Sequence, residues 1–233
     1  MRIDLLRLLC HARAFSTAKT FIRDGVLSPL ARRRRFARTY ATNYWQSDES
    51  RSGIGSSLAQ TREVRAALPL LLRDLDVRSI LDVPCGDFNW MQQIDLTGMD
   101  YLGGDIVSSL ISSNIERYGN SKRTFIVLDL VTTIPPKADL VLCRDLLVHM
   151  PFRDIARALQ NIRRSGAHWL LATTFCDRER NEDLETRDWR PLNLERPPLR
   201  FPQPQRLIVE NCTQNEGLYR DKALGLWSIR DLP

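Results

Sequence analysis

The sequence predicts an α/β fold built on a mostly parallel, seven-stranded sheet with helices on both faces. From about residue 58 onward, short apolar segments of strand length alternate with longer segments of helical period, the pattern of βαβ units. Two strand-like segments near the end follow each other without a helix between them, which predicts an antiparallel strand at one sheet edge. Four successive strands end at carboxylates, namely Asp82, Asp105, Asp129 and Asp145.

Length and composition fit one large domain with an additional arm. The 233 residues are 43% hydrophobic and 27% charged, which is ordinary for a soluble globular protein. No apolar run approaches the ~18 residues that a membrane-spanning helix needs. The five cysteines are scattered without a C-x-x-C pair, which argues against a disulfide framework or a zinc knuckle and favours a reducing, cytoplasmic environment.

Residues 1–57 are predicted to form a basic helical arm followed by a lid loop. The first 38 residues fit one or two helices, broken near Gly25 and Ser28. The net charge of +6 is concentrated here, with consecutive arginines at 32–35. A solvated basic face is one interpretation of this run. Binding of an anionic partner, such as nucleic acid, a membrane surface or a phosphorylated carrier, is the other.

The polar segment 43–61 is either a linker or a lid over a bound ligand. Its S-G-I-G-S stretch offers backbone N–H groups beside the start of a helix predicted over residues 58–75, with Ser56 or Ser57 as N-cap. A helix N-terminus beside a glycine loop suits a carboxylate. The lid interpretation therefore makes Trp45, Gly53 and Ser56 candidate ligand contacts.

The stretch S-I-L-D-V-P-C-G-D-F-N-W-M at residues 79–91 is the predicted centre of the fold. It fits a buried strand over 79–83, a tight turn, and a short helix that starts near Phe88 or Asn89. A strand that stops at a glycine beside acidic groups, then turns into a helix, forms a ligand crevice at the carboxyl edge of an open α/β sheet. Gly86 allows the closest backbone approach to such a ligand.

The remaining elements follow the same alternation. Asp105 ends the second strand about 20 residues after Gly86, where nucleotide-binding α/β units hold ribose hydroxyls. The irregular, proline-rich segment 177–205 is predicted to face a substrate, because long loops inside compact domains are usually functional or disordered. The other predicted elements are a helix over 108–118, strands over 124–130 and 138–143, a helix over 152–164, a strand over 168–175, and two final strands.

The ordered strand-end acids and the central turn resemble class I S-adenosylmethionine-dependent methyltransferases, over residues 58–233. The family's turn runs acid-x-Gly-x-Gly-x-Gly, and it stands here as D-V-P-C-G-D-F, with Pro84 and Phe88 replacing the outer glycines. The resemblance implies a Rossmann-like fold and S-adenosylmethionine as cofactor.

The form D-x-P-C-G-D-x-x-W-M is also similar to a bacterial subgroup that shares the S-G-x-G-S, W-R-P-L-N-L and D-K-x-L-G-L-W segments. This similarity points to O-methylation of sugars on bacterial glycans, as in the rhizobial enzymes that act on the fucose of nodulation factors. The acceptor would then be a small molecule or a glycan.

Within the resemblance, cofactor contacts are assigned residue by residue. Asp105 would bind the ribose hydroxyls, while Asp129 and Leu130 would flank the adenine. The methionine end would face the central turn, at Asp82, Pro84, Cys85, Gly86 and Asp87.

Two residues after the fourth strand are the candidate catalytic groups. Asp145 and His149 are four apart, so on a helical turn they share a face. A carboxylate that orients a histidine raises its basicity. We predict His149 as general base, with Asp145 orienting it or acting as the base itself. The alternative is a histidine that only packs and bonds a backbone group.

Six residues are candidate contacts of the methyl acceptor, because a tryptophan with polar neighbours suits a sugar ring. The alternative is that the same residues only attach the long loop to the sheet. They are Arg144, Asp177, Arg178, Trp189, Arg190 and Asn193. No residue cluster has clear metal-ligand spacing, so no metal is predicted. Alternative functions are N-methylation of a small molecule, protein or nucleic acid, and a non-catalytic binding protein that keeps the methyltransferase fold.

Overall fold

A computed structural model describes residues 28–184 and 189–233; the predicted helices before residue 28 lie outside this part. Seven strands form one sheet in the order β3-β2-β1-β4-β5-β7-β6. The first five are mutually parallel. The predicted α/β class and mostly parallel seven-stranded sheet are thereby confirmed. The strands are β1 Ser79–Asp82, β2 Asp100–Asp105, β3 Arg123–Val127, β4 Leu140–Cys143, β5 Trp169–Phe175, β6 Arg206–Val209 and β7 Lys222–Ser228.

The antiparallel strand is β7, which lies between β5 and the edge strand β6. Phe175 at the end of β5 pairs with Lys222 at the start of β7. An antiparallel strand begins where its neighbours end, so Lys222 lies at the carboxyl edge of the parallel strands. β6 runs antiparallel to β7, so Glu210, which follows β6, reaches the same edge.

Four helices of eleven to thirteen residues cover the sheet: α1 Pro29–Ala41, α2 Arg62–Asp74, α3 Ser108–Tyr118 and α4 Phe152–Arg164. The Ser28-Pro29 pair, expected to break a helix, starts α1: the Ser28 hydroxyl accepts a hydrogen bond from the Ala31 N–H (3.2 Å) and proline stands in the first turn. Short helical turns cover Ile54–Ser56, Met91–Gln93, Leu147–His149, Gln214–Gly217 and Ile229–Asp231.

The sheet lies between two apolar clusters. On one face, α4 and the long loop supply buried side chains, including Ile155, Ile162 and Phe201. On the other, α2 and α3 pack, and Phe36 and Tyr40 of α1 join them. Residues of β4 alternate between the two clusters and are all buried, as expected for a central parallel strand covered on both faces.

Two local predictions are wrong. No α-helix follows the central turn, because Phe88 has a φ of 62°, a left-handed conformation that cannot start a right-handed helix; only the 3₁₀ turn Met91–Gln93 forms there. The helix predicted over 58–75 starts at Arg62, and its N-cap position is Thr61 rather than Ser56 or Ser57.

Four of the cysteines lie in the described residues, and all are free thiols: Cys85, Cys143, Cys176 and Cys212. Across residues 28–184 and 189–233, none of the helices combines the length and the apolar character needed to cross a membrane.

Candidate active site

A cavity of about 400 Å³ opens at the carboxyl edge of the sheet, a size within the usual range for small-molecule sites. Its walls come from the strand ends, the loop before α2, helix α1 and the segment before β7. The structure brings every predicted cofactor contact to this one cavity: Trp45, Gly53, Ser56, Asp82, Pro84, Cys85, Gly86, Asp87, Asp105, Asp129 and Leu130.

The central turn leaves no room for a side chain at Gly86. This residue has a φ of +54°, and an added Cβ would clash with the Ser52 Oγ. The Gly86 N–H donates to Asp105 Oδ2 (3.3 Å) and its carbonyl accepts from Asn114 Nδ2 (2.8 Å). Glycine at this position therefore avoids both the cost of a left-handed backbone and a clash with the preceding loop.

The loop of residues 43–61 is bound to this turn through Asp87. The Asp87 carboxylate accepts hydrogen bonds from Ser50 Oγ (2.9 Å), the Arg51 N–H (2.8 Å) and Ser52 Oγ (3.2 Å). Asn89 Nδ2 donates to the Ser56 carbonyl (3.0 Å). These contacts hold the loop against the central turn at the cavity wall; its action as a lid over a bound ligand stays a prediction, and the segment is called the lid loop below.

Two buried carboxylates line the cavity with raised pKa values. Burial raises the pKa of Asp82 to about 7, although the Tyr101 hydroxyl donates to it (2.6 Å) and opposes the shift. Burial likewise raises the pKa of Asp105 to about 6, against hydrogen bonds from the Val107 (2.9 Å) and Gly86 N–H groups. Asp105 is thus positioned by its backbone partners and lines the cavity, where a carboxylate can accept hydrogen bonds from hydroxyl groups.

Asp129 is held by an arginine of the predicted solvated run. Arg32 Nη2 and Nε lie 2.8 and 3.2 Å from Asp129 Oδ2, and Arg32 Nη1 lies 2.9 Å from Asp154 Oδ2. Arg32 is 4% exposed, so it differs from the exposed Arg33 and Arg34 beside it. Its helical spacing from Phe36 and Tyr40, which also line the cavity, was the signal that sequence reasoning missed.

Asp145 is surrounded by two cations and a hydroxyl group. Lys222 Nζ lies 2.7 Å from its Oδ2, Arg144 Nη1 lies 3.4 Å away, and Thr173 Oγ1 donates to its Oδ1 (3.2 Å). Burial alone would raise the pKa of Asp145, but the Lys222 and Arg144 charges outweigh it and hold this pKa well below its ordinary value. A carboxylate so strongly held in its ionised form is a weak base.

Arg144 joins this group to the lid. It binds Glu210 through Nη2 (2.6 Å) and Nε (3.1 Å), and the same Nη2 donates to the Gly55 carbonyl (2.8 Å). Glu210 also lies 3.2 Å from Lys222 Nζ. Two cations and two anions therefore meet at the sheet edge under the lid.

His149 does not share a helical turn with Asp145 in the predicted way. Asp145 has a φ of 58° and precedes the 3₁₀ turn Leu147–His149. The histidine lines the cavity with its ring 5.6 Å from the Trp45 ring and 6.3 Å from the Phe36 ring. It remains close enough to Asp145 for their charges to interact.

Of the predicted acceptor contacts, Trp189 and Arg144 line the cavity. Trp189, Phe175 and Tyr219 form an aromatic wall with ring centroids 5.0 to 6.0 Å apart. Gln214 and Asn215 line the same cavity. This combination of aromatic faces and amide groups resembles the surroundings that amphipathic ring compounds require.

The other four predicted acceptor contacts, Asp177, Arg178, Arg190 and Asn193, are not among the cavity's lining. The Arg190 guanidinium donates to the carbonyls of Leu147, Val148 and Met150. Asn193 Nδ2 donates to the carbonyls of Cys176 and Arg178, Arg178 pairs with Asp221, and the Asp177 N–H donates to Asp221. These bonds pin the long loop and support the site from behind, so direct contact with an acceptor stays a prediction for these residues.

Comparison with known proteins finds likeness in structure only. No family model and no curated protein matches the chain. TnmH superposes over 74% of this chain and 56% of its own, with a TM-score of 0.55 and 14% identity. The magnesium protoporphyrin IX methyltransferase ChlM from Synechocystis PCC 6803, crystallised with bound S-adenosylmethionine, superposes over 70% of this chain and 83% of its own, with a TM-score of 0.50 and 18% identity. This is the class I methyltransferase fold.

A weaker likeness, over 60% of this chain, is to the human N-acetylserotonin methyltransferase crystallised with S-adenosylmethionine, at 16% identity and a TM-score of 0.46. The chain covers only 40% of that enzyme and 56% of TnmH.

On the methyltransferase fold described above, the cavity lies at the carboxyl edge of β1, β2 and β4, beneath the lid loop and α1. Within the described residues, no group of three or more His, Cys, Asp or Glu side chains is placed to hold a metal ion.

Proposed function

We propose that the chain is an S-adenosylmethionine-dependent methyltransferase that O-methylates a sugar hydroxyl on a bacterial glycan or lipo-oligosaccharide. The observation that carries methyl transfer is the convergence of Gly86 and Asp105 on one cavity of a class I methyltransferase fold, with the Gly86 N–H bonded to the Asp105 carboxylate. When bound, S-adenosylmethionine supplies an electrophilic methyl group and so carries the difficult chemistry itself.

The lining of the cavity fits this cofactor. Asp105 offers a buried carboxylate for the ribose hydroxyls, and the open backbone at Gly86 allows close approach. Leu130 and Asp129 provide an apolar and a polar group for the adenine, with Asp129 steadied by Arg32. The lid residues Trp45, Gly53 and Ser56 cover the cavity from the other side.

The protein's remaining tasks are to position the acceptor and to remove its proton. His149 lines the cavity and is the better base, because Lys222 and Arg144 hold Asp145 ionised with a lowered pKa. The rings of Trp45 and Phe36 limit the orientations of the histidine.

The aromatic wall supports a ring-shaped acceptor. Trp189 and Tyr219 offer apolar faces, while Gln214 and Asn215 offer amides at the same cavity. A sugar presents an apolar C–H face, which can pack on aromatic rings, and a rim of hydroxyls, which can bond to amide groups.

The test is methyl transfer from isotope-labelled S-adenosylmethionine to separate panels of glycosides, lipo-oligosaccharides, amines, proteins and nucleic acids. We expect label in the glycosides or lipo-oligosaccharides, and His149→Ala should lower kcat by about 100-fold or more with cofactor affinity preserved. Label that appears only in amines, protein or nucleic acid would exclude the sugar acceptor and favour N-methylation.

A further inference from the structure

Four charged side chains meet at the carboxyl ends of β4 and β6 and the amino end of β7, and the role assigned to them rests on the proposed methyl transfer. The members of this charged group are Arg144, Asp145, Glu210 and Lys222. The side chains of Arg144, Glu210 and Lys222 are 4%, 1% and 8% exposed, whereas that of Asp145 is 26% exposed. Asp145 is therefore the member whose carboxylate remains accessible from the cavity that it lines.

The group is electrically balanced. Lys222 Nζ lies 2.7 Å from Asp145 and 3.2 Å from Glu210, and Arg144 reaches both carboxylates. An ammonium group bound at Asp145 would add a positive charge that has no partner, and an acceptor carboxylate would face the Asp145 carboxylate directly. Unpaired charge is costly where water is largely excluded.

A neutral hydroxyl fits this position. A carboxylate has about four acceptor sites, and Asp145 uses its Oδ1 for one bond from Thr173 and its Oδ2 for Lys222 and Arg144. A further hydrogen bond from an acceptor hydroxyl satisfies the carboxylate without changing the net charge of the group.

The aromatic wall adjoins this carboxylate. Lys222 pairs in the sheet with Phe175, and its N–H donates to the Tyr219 carbonyl (3.0 Å). A Cβ built on Gly55 of the lid would meet Gln214 Nε2, Asp145 Oδ2 and Lys222 Nζ within 4 Å. The carboxylate, the lid and the wall thus bound one compartment, with an apolar side and a hydrogen-bonding side.

We propose that Asp145, positioned by Lys222, binds a neighbouring hydroxyl of the acceptor ring and so selects neutral polyhydroxylated rings over amino sugars and uronic acids. Lys222 is a positioning residue: it fixes the Asp145 carboxylate and neutralises it. Removing the lysine charge leaves Asp145 with excess negative charge, which then favours a cationic acceptor.

The experiment compares three probe sets with the full chain: methyl pyranosides of fucose, rhamnose and glucose, the matched amino sugars, and glucuronic acid. Transfer of labelled methyl groups gives KM and kcat for each probe. For the wild type we expect kcat/KM at least tenfold higher for the best neutral glycoside than for any charged probe. In Lys222→Met the ratio of kcat/KM for the amino sugars to kcat/KM for the neutral glycosides should rise tenfold or more. Lys222→Arg keeps the positive charge and should show the wild-type order of probes.

Asp145→Asn provides a second variant, since it keeps the shape of the side chain. Its KM for the neutral glycoside should rise at least tenfold while its kcat changes less. Charged probes used as well as neutral ones, no transfer to any neutral glycoside, or an unchanged order in Lys222→Met would each overturn the inference. Cofactor binding measured on the same preparations separates the two claims. With binding intact, charged probes used as well as neutral ones, or an unchanged order in Lys222→Met, overturn only the acceptor selectivity. No transfer to any neutral glycoside, or absent cofactor binding, overturns the proposed function as well.

Discussion

Arg32 Nη2 lies 2.8 Å from Asp129 Oδ2, so an ion pair joins helix α1 to the carboxylate that we assign to the adenine side of the cavity. The same guanidinium binds Asp154 in the first turn of α4 (2.9 Å). One side chain of the basic arm therefore joins α1, the end of β3 and α4. Helix α1 is part of the cavity wall, and within it the buried Arg32 differs from its exposed neighbours Arg33 and Arg34.

Replacing Arg32 by methionine should strongly destabilise the fold, because it leaves two carboxylates without their buried cation. Removal of one partner from a buried ion pair costs about 3–5 kcal/mol. Urea unfolding gives the free energy of unfolding for this variant and for the control Arg33→Met, whose side chain is exposed and which should change stability by no more than about 0.5 kcal/mol. Equal stability of the two variants would show that Arg32 does not hold α1.

Gly86→Ala should weaken cofactor binding by moving the lid. The new Cβ would clash with Ser52 Oγ, in a residue with a φ of +54°. Gly98→Ala is the matched control, since Gly98 has a φ of +81° but no atom within 4 Å of an added Cβ. Both variants carry the left-handed penalty of about 1–2 kcal/mol, and only Gly86→Ala carries the clash.

Calorimetric titration with S-adenosylmethionine distinguishes the two glycine variants. We expect Gly98→Ala to bind like the wild type and Gly86→Ala to bind at least about tenfold more weakly, equivalent to about 1.4 kcal/mol. Partial recovery in the double variant with Ser52→Gly would assign the loss to the lid contact. Identical affinities of the two single variants would disprove this role for Gly86.

Cofactor affinity should fall as the pH is lowered through about 6. Burial raises the pKa of Asp105 to about 6, and ribose hydroxyls bind best to its ionised form. Below this pH the free protein binds a proton that the complex must release, so affinity should drop by about tenfold per pH unit. The matched variant Asp105→Asn should bind weakly and lose the part of this dependence centred near pH 6, while Asp82, whose pKa burial raises to about 7, can still titrate. A wild-type affinity that stays constant between pH 5 and 7 would contradict the assignment.

Arg190→Met should lower kcat without weakening cofactor binding. The Arg190 guanidinium holds the carbonyls of Leu147, Val148 and Met150, around the turn that carries His149. Loss of these bonds displaces the proposed base, and a shift of about 1 Å can reduce turnover by about 100-fold. Arg180→Met, at an exposed position, is the control. An equal loss of cofactor affinity in Arg190→Met would indicate general disruption instead.

The fold was predictable because strand-end acids and alternating periodicity are local signals. Gly86 and Asp105 could be placed from their spacing, since parallel strands all end at one edge. Phe88 marks the limit of this reasoning: it has a left-handed backbone and packs against Tyr101 and Phe125, neither of which a local pattern of the sequence reveals.

The partners of Asp145 could not be predicted from the succession of parallel strands along the sequence. Lys222 begins an antiparallel strand, and Glu210 follows a strand that is antiparallel to it, so both reach the site only because β7 is inserted between β5 and β6. Lys222 and Glu210 therefore required the three-dimensional arrangement of the strands. Arg32 differs, because its helical spacing from Phe36 and Tyr40 is a sequence signal for the inward-facing arginine of the run, which composition alone does not give.

Binding of S-adenosylmethionine is the central claim, and isothermal titration calorimetry on the full chain at neutral pH tests it most directly. We predict saturable binding at one site, weakened about tenfold to 100-fold in Asp105→Ala, because hydrogen bonds to a charged group contribute about 1.5–3 kcal/mol. Absence of binding heat at several temperatures, in a protein whose circular dichroism shows a folded α/β chain, would contradict the account.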